Sequence, residues 1–181
     1  LRKGINAQGQ HLYPAMPYTS YQGMSDADIH ALYVYLQQGV APVEAPVAPT
    51  ERAVPFDVRA LMFGWNQLFL DKSGFEPRQA GDAQLGRGQY LVDALAHCGA
   101  CHTPRNALMA EDNSRYLSGA TLGGWVAPNI TSDPASGVGR WSTDELALFL
   151  KNGHVTNKAQ AGGGMAQAVE NSLRYLSHDD V

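Results

Sequence analysis

The sequence predicts an all-α fold with long loops, and three observations carry that expectation. Residues 25–39 and 82–97 each place apolar side chains at helical spacing behind a polar capping residue. A further helix opens on Ser142-Thr143-Asp144-Glu145, the pattern of a capping box. Residues 103–140 are rich in Gly, Pro, Asn and Ser, and no stretch sustains the period-two alternation of a strand. The composition agrees: 44% apolar and 17% charged residues exclude a disordered chain or a long coiled coil.

The elements follow in order. Ser25 caps the first helix, Asp26 and Asp28 favour its positive end, and Ile29, Leu32, Tyr33 and Leu36 share one face before Gly39 stops it. Residues 40–55 hold Pro42, Pro46, Pro49 and Pro55 among Ala and Val, the composition of an extended linker. Asp57 is a candidate cap for a short helix in which Val58, Leu61, Met62, Trp65, Leu68 and Phe69 form a stripe suited to docking domains together. The helix over 82–97 tolerates Gly86 and Gly88, each costing about 1 kcal/mol against Ala, which predicts close approach by another helix. Gly153 ends the helix begun at Ser142, whose apolar face is Leu146, Phe149 and Leu150.

A short internal repeat runs through this order. Leu1-Arg2-Lys3-Gly4 resembles Leu150-Lys151-Asn152-Gly153, and the same offset of 149 carries Met16 onto Met165. Met24-Ser25-Asp26-Ala27-Asp28-Ile29 then matches Leu176-Ser177-His178-Asp179-Asp180-Val181 at an offset of 152. The chain, which starts with Leu1, is therefore expected to be part of something longer. The expected division is the end of one domain over 1–39, a linker and docking helix over 40–80, and a second domain over 81–181 that lacks its last helix.

The chemistry sits in Cys98-Gly99-Ala100-Cys101-His102, the Cys-x-x-Cys-His form of c-type haem attachment. Two thiols one helical turn apart suit the two haem vinyl groups, and the adjacent imidazole reaches the iron. Both cysteines of the chain lie in this motif, so a disulfide framework is excluded, and a zinc site lacks its further ligands. A thioredoxin-like dithiol needs a βαβ context, which is absent. For the second axial ligand the candidates are Met165, Met109, Met62, His154 and His178. Met165 is favoured, because it follows Gly162-Gly163-Gly164 and matches Met16 in the repeat. His/Met ligation closes both axial positions and suits one-electron transfer. An unbound Met165 would leave an open iron site, the mark of a haem enzyme or gas-binding protein. Pro128 is a candidate carbonyl partner for the other His102 nitrogen. Trp125, Asn129 and Arg105 are candidate haem-pocket residues, with Arg115 and Arg140 as weaker ones. Tyr90 is also a candidate haem-pocket residue and is expected to pack against the helix that would follow Val181.

Several stretches together resemble the multi-haem cytochrome c subunits of membrane-bound alcohol and gluconate dehydrogenases. They are Leu12-Tyr13-Pro14-Ala15-Met16-Pro17-Tyr18, Arg87-Gly88-Gln89-Tyr90-Leu91-Val92, the haem motif with Thr103-Pro104-Arg105, Ala127-Pro128-Asn129-Ile130-Thr131, and residues 165–176. The resemblance implies cytochrome c domains built around covalent haem. It implies Cys98 and Cys101 as attachment thiols, His102 and Met165 as axial ligands, and Met16 as ligand to the haem of a preceding domain. It also implies an electron-transfer subunit in the bacterial periplasm, at the outer face of the inner membrane, between a dehydrogenase and membrane quinone or oxidase. Such subunits typically carry three haems, whereas this sequence holds one attachment motif.

The net charge of -4 and pI near 5.8 argue against nucleic acid as a partner. No apolar run approaches the roughly 20 residues that cross a bilayer, and no leader sequence is evident, so the chain is expected to be soluble as written.

Overall fold

Ser25 does what its position predicts: its Oγ accepts from the Asp28 amide at 3.1 Å and starts helix α2, Asp26–Val34. It stands in a computed structural model that describes residues 1–48, 58–79 and 81–181. Asp57, the expected cap of the docking helix, lies outside the described residues, as do Pro49 and Pro55 of the linker. The described chain divides into two compact units, Leu1–Leu95 and Ala96–Val181.

The first unit holds α1 (Tyr18–Tyr21), α2, α3 (Leu61–Phe69) and α4 (Ala83–Tyr90). Helices α2 and α4 each widen into one π turn, Tyr35–Gly39 and Leu91–Leu95. Helix α4, expected to open the second domain, packs in this unit. Its Tyr90 is buried with Met24 and Ala94, against Tyr21, Ile29, Phe75 and Leu95. The Tyr90 hydroxyl donates to Asp28 Oδ2 at 2.5 Å and accepts from the Ser25 amide at 2.8 Å, tying α4 to the start of α2. Among the described residues, no other helix lies within 4 Å of a Cβ at Gly86 or Gly88. A Cβ on Gly86 would meet only Pro77, at 3.6 Å, and Gly88 has no neighbour within 4 Å. The α4 contact is made instead by the large Tyr90 ring.

The hydroxyl bridge also holds the Asp28 carboxyl below the usual carboxylate range, chiefly through Tyr90 and then Ser25. A lowered folded-state pKa gives stability that is present above the ordinary carboxylate pKa and lost as pH falls through the folded value. Tyr90→Phe is therefore expected to cost about 1–2 kcal/mol at neutral pH, and less in acid where Asp28 is protonated. Urea unfolding at two pH values checks this, and equal stability of the two proteins at neutral pH would contradict the bridge.

Helix α3 docks by a polar pin rather than by its apolar stripe alone. Asn66 is its buried residue, accepting from the Tyr18 hydroxyl at 2.7 Å and sitting 3.2 Å from His11 Nδ1. Trp65 adds an edge contact to Tyr18, while Val58, Leu61 and Leu68 stay exposed. A buried amide needs its partners, so the polar side chain fixes the docked face.

The second unit holds α5 (Gly99–His102), α6 (Thr143–Asn152), α7 (Gly163–Asn171) and single 3₁₀ turns. The capping box is present, with Ser142 and Glu145 each bonding the other's backbone amide, and Gly153 closes α6 at φ +71°. The all-α expectation needs one correction. Two short antiparallel ribbons occur, β1 (Ala120–Leu122) with β2 (Trp125–Ala127), and β3 (His154–Val155) with β4 (Ala159–Gln160). Each strand is two or three residues long, too short to show a period in the sequence. Among the described residues, no helix is long and apolar enough to cross a membrane.

Candidate haem site

Cys98 to His102 form a single helical turn: the Cys98 carbonyl accepts from the amides of both Cys101 and His102, at 3.2 and 2.9 Å. His97 enters it at φ +43°, a conformation uncommon outside glycine, which bends the chain sharply between Leu95 and the motif. Gly99 lets the turn sit close to its neighbours, since a Cβ there would fall 2.9 Å from Glu111 Oε2 and 3.1 Å from the Tyr116 ring. Cys98 is half-buried and Cys101 exposed, whereas His102 is 7% exposed.

The first ribbon orients the imidazole. Its register pairs Ala120 with Ala127, which leaves Gly119 and Pro128 flanking it on the His102 side. The Gly119 amide donates to the His102 carbonyl at 2.7 Å, and His102 Nδ1 donates to the Pro128 carbonyl at 2.8 Å. A carbonyl only accepts, so Nδ1 carries the proton and Nε2 keeps its lone pair for a metal. Thr103, with 0% exposure, anchors the next step by accepting from the Leu117 amide at 3.0 Å.

Other predicted residues fall as follows. Arg105 donates to the Ala100 carbonyl at 2.6 Å and lies 3.7 Å from Glu111, so it braces the motif turn. Arg115 pairs with Asp112 at 2.9 Å. The Asn129 amide donates to Ser136 Oγ at 2.9 Å and accepts from Thr131, which shapes the loop after Pro128. Tyr90 lies in the first unit, buried beside Met24 and Ala94. Trp125 is 61% exposed, and its indole lies against the backbone of Gly162 and Gly163. A Cβ on Gly163 would fall 2.7 Å from that ring, and its φ of +51° also favours glycine. Met165, half-buried, sits two residues further on in the first turn of α7, with its amide donating to the Gly162 carbonyl at 3.1 Å.

The repeat holds in three dimensions. Gly4 and Gly153 both take positive φ. The carbonyl of each accepts at 2.7 Å, from the Leu12 and Ala161 amides respectively. The Ile5–His11 bridge corresponds to the His154–Gln160 pair. The Met16 amide donates to the Tyr13 carbonyl at 3.2 Å, as Met165 does to Gly162. Ser25 and Ser177 each precede a helical turn in extended conformation. Met16 and Met165 therefore occupy equivalent places, and Met16 is 49% exposed.

The residues fit a covalent haem. The second unit buries few apolar side chains, Ala110, Val155 and Val169, and all are small. A domain of that size needs a larger core, which the faces of an attached haem would complete. The motif turn supplies two thiols and an oriented imidazole.

The comparisons agree with that fit. The whole chain is 46% identical to the fructose dehydrogenase cytochrome subunit of Gluconobacter japonicus, of which it spans 37%. It is 44% identical to the gluconate 2-dehydrogenase cytochrome c subunit of Pantoea cypripedii, over 43% of that protein. It is 40% identical to the cytochrome c subunit of the quinone alcohol dehydrogenase of Gluconacetobacter polyoxogenes, again over 40%. The chain is a homologue of dehydrogenase cytochrome c subunits. It spans about two fifths of the length of these relatives. No protein-family model matches it.

Proposed function

We propose that the chain carries one covalent haem c and passes single electrons within a dehydrogenase complex, without bond chemistry of its own. Cys98 and Cys101 would hold the haem through thioether bonds, and His102 Nε2 and Met165 sulfur would hold its iron. When bound, the haem supplies one-electron redox cycling, and a Met ligand raises its potential relative to a second His. The observation that carries the reading is the buried His102 ring, fixed by Pro128 in the same turn as the thiols, in a homologue of cytochrome c subunits. The protein's own residues orient the imidazole, brace the motif turn through Arg105, and bring Met165 onto the first turn of α7. Met16, equivalent by geometry, is the proposed axial ligand of a haem in a preceding unit, whose attachment cysteines lie outside these residues.

The electron donor on this reading is a periplasmic alcohol or sugar-acid dehydrogenase, and the acceptor is membrane quinone or oxidase at the outer face of the inner membrane. The relatives named above, subunits of fructose, gluconate and quinone alcohol dehydrogenases, support a dehydrogenase as the donor. The visible spectrum tests the ligand set. The oxidised protein is expected to show the Fe–S(Met) charge-transfer band, and the reduced protein to bind carbon monoxide slowly. Rapid carbon monoxide binding without the band would favour an open iron site and a haem enzyme or gas-binding protein instead.

A further inference from the structure

The loop that carries Met165 is closed at its base by a cation. Lys151, in the last turn of α6, donates through Nζ to the Leu176 carbonyl, with the Arg174 carbonyl 3.3 Å away. These acceptors lie beyond α7, so the side chain spans the ends of the segment 151–176 and does not cap its own helix. The same contact recurs in the other repeat. Arg2 matches Lys151 at the offset of 149, and Met24 matches Leu176 at 152. Arg2 Nη2 donates to the Met24 carbonyl at 2.6 Å. Each cation thus ties the start of a methionine-bearing loop to its end, across Met16 in one copy and Met165 in the other. The residue type changes between the copies while the contact stays. A role in local charge balance alone would not fix the same acceptor twice.

We propose that Lys151 is a positioning residue for Met165, and that Arg2 is its counterpart for Met16. The inference rests on Met165 being the axial ligand. The latch limits how far the α7 turn can swing, and so how readily the sulfur leaves the iron. Within the second unit, Gly153 backs the same loop, with Val169 3.6 Å from where its Cβ would stand. The base of the loop is therefore held by apolar packing as well as by the lysine.

The test uses the haem-loaded protein with Lys151→Leu, which keeps an apolar side chain and removes the donors, and Lys151→Arg, which installs the residue of the other copy. Lys151→Leu is expected to weaken the Fe–S(Met) band and to speed carbon monoxide association about tenfold, the equivalent of one lost hydrogen bond. Lys151→Arg is expected to restore both. Should Lys151→Leu fail to mature, Lys151→Met gives the same comparison with an unbranched side chain that has no donor. An unchanged band and carbon monoxide rate in the neutral variants would overturn the proposal, whatever their melting temperature. Met165→Ala runs alongside. If it leaves the wild-type band intact, the ligand assignment fails first, and the latch falls with it for that separate reason.

Discussion

Met165→Ala is expected to leave the haem attached and to remove the sulfur ligand. On the proposed reading attachment depends on Cys98, which caps α5, and Cys101 within it, while Met165 arrives from α7 by a separate loop. The two functions are thus separable by mutation. Loss of the thioether should abolish the Fe–S(Met) band, lower the reduction potential and open the iron to carbon monoxide. The fold should survive, because Met165 is half-buried and the buried residue of α7 is Val169. Spectra and a redox titration of the variant check this. A band and potential equal to wild type would assign the second axial position to another residue.

Gly119→Ala is expected to be the most damaging small substitution near the site. Gly119 sits at φ +95°, and a Cβ would fall 2.9 Å from the Asn129 amide nitrogen and 3.0 Å from the Ala127 carbonyl. Those atoms are backbone and cannot rotate away. The strain of positive φ and the overlap together cost about 2–4 kcal/mol. The same residue donates its amide to the His102 carbonyl, and the displaced backbone leads directly to Pro128, the acceptor for His102 Nδ1. Destabilisation and a disturbed imidazole should therefore appear together, as a lower unfolding midpoint and an altered haem spectrum. A variant with wild-type stability would contradict the packing described around the ribbon.

Much of the site was legible in the sequence because its chemistry is local. Five consecutive residues set the thiols and the imidazole, and capping chemistry placed α2 and α6 correctly. The ribbon that orients His102 was not legible, since strands of two or three residues carry no period. Gly119 was hidden for a related reason: its role is set by backbone 8 to 10 residues away. Asn66, the buried residue of α3, carried no signal in the sequence, because its partners Tyr18 and His11 are distant in sequence. Tyr90 showed its helix correctly but not its partner, which is the cap of α2. The repeat was readable as faint identity, but Lys151 and Arg2 emerged only when both were seen to reach equivalent carbonyls.

Cys98 and Cys101 are proposed to carry a covalent haem. Expression with the c-type maturation machinery, followed by a haem stain on a denaturing gel and intact mass, measures this. The expected result is a stained band with the mass of one haem added, lost when both cysteines are replaced by alanine. A colourless protein at the bare polypeptide mass, with two thiols that react or pair as a disulfide, would contradict it.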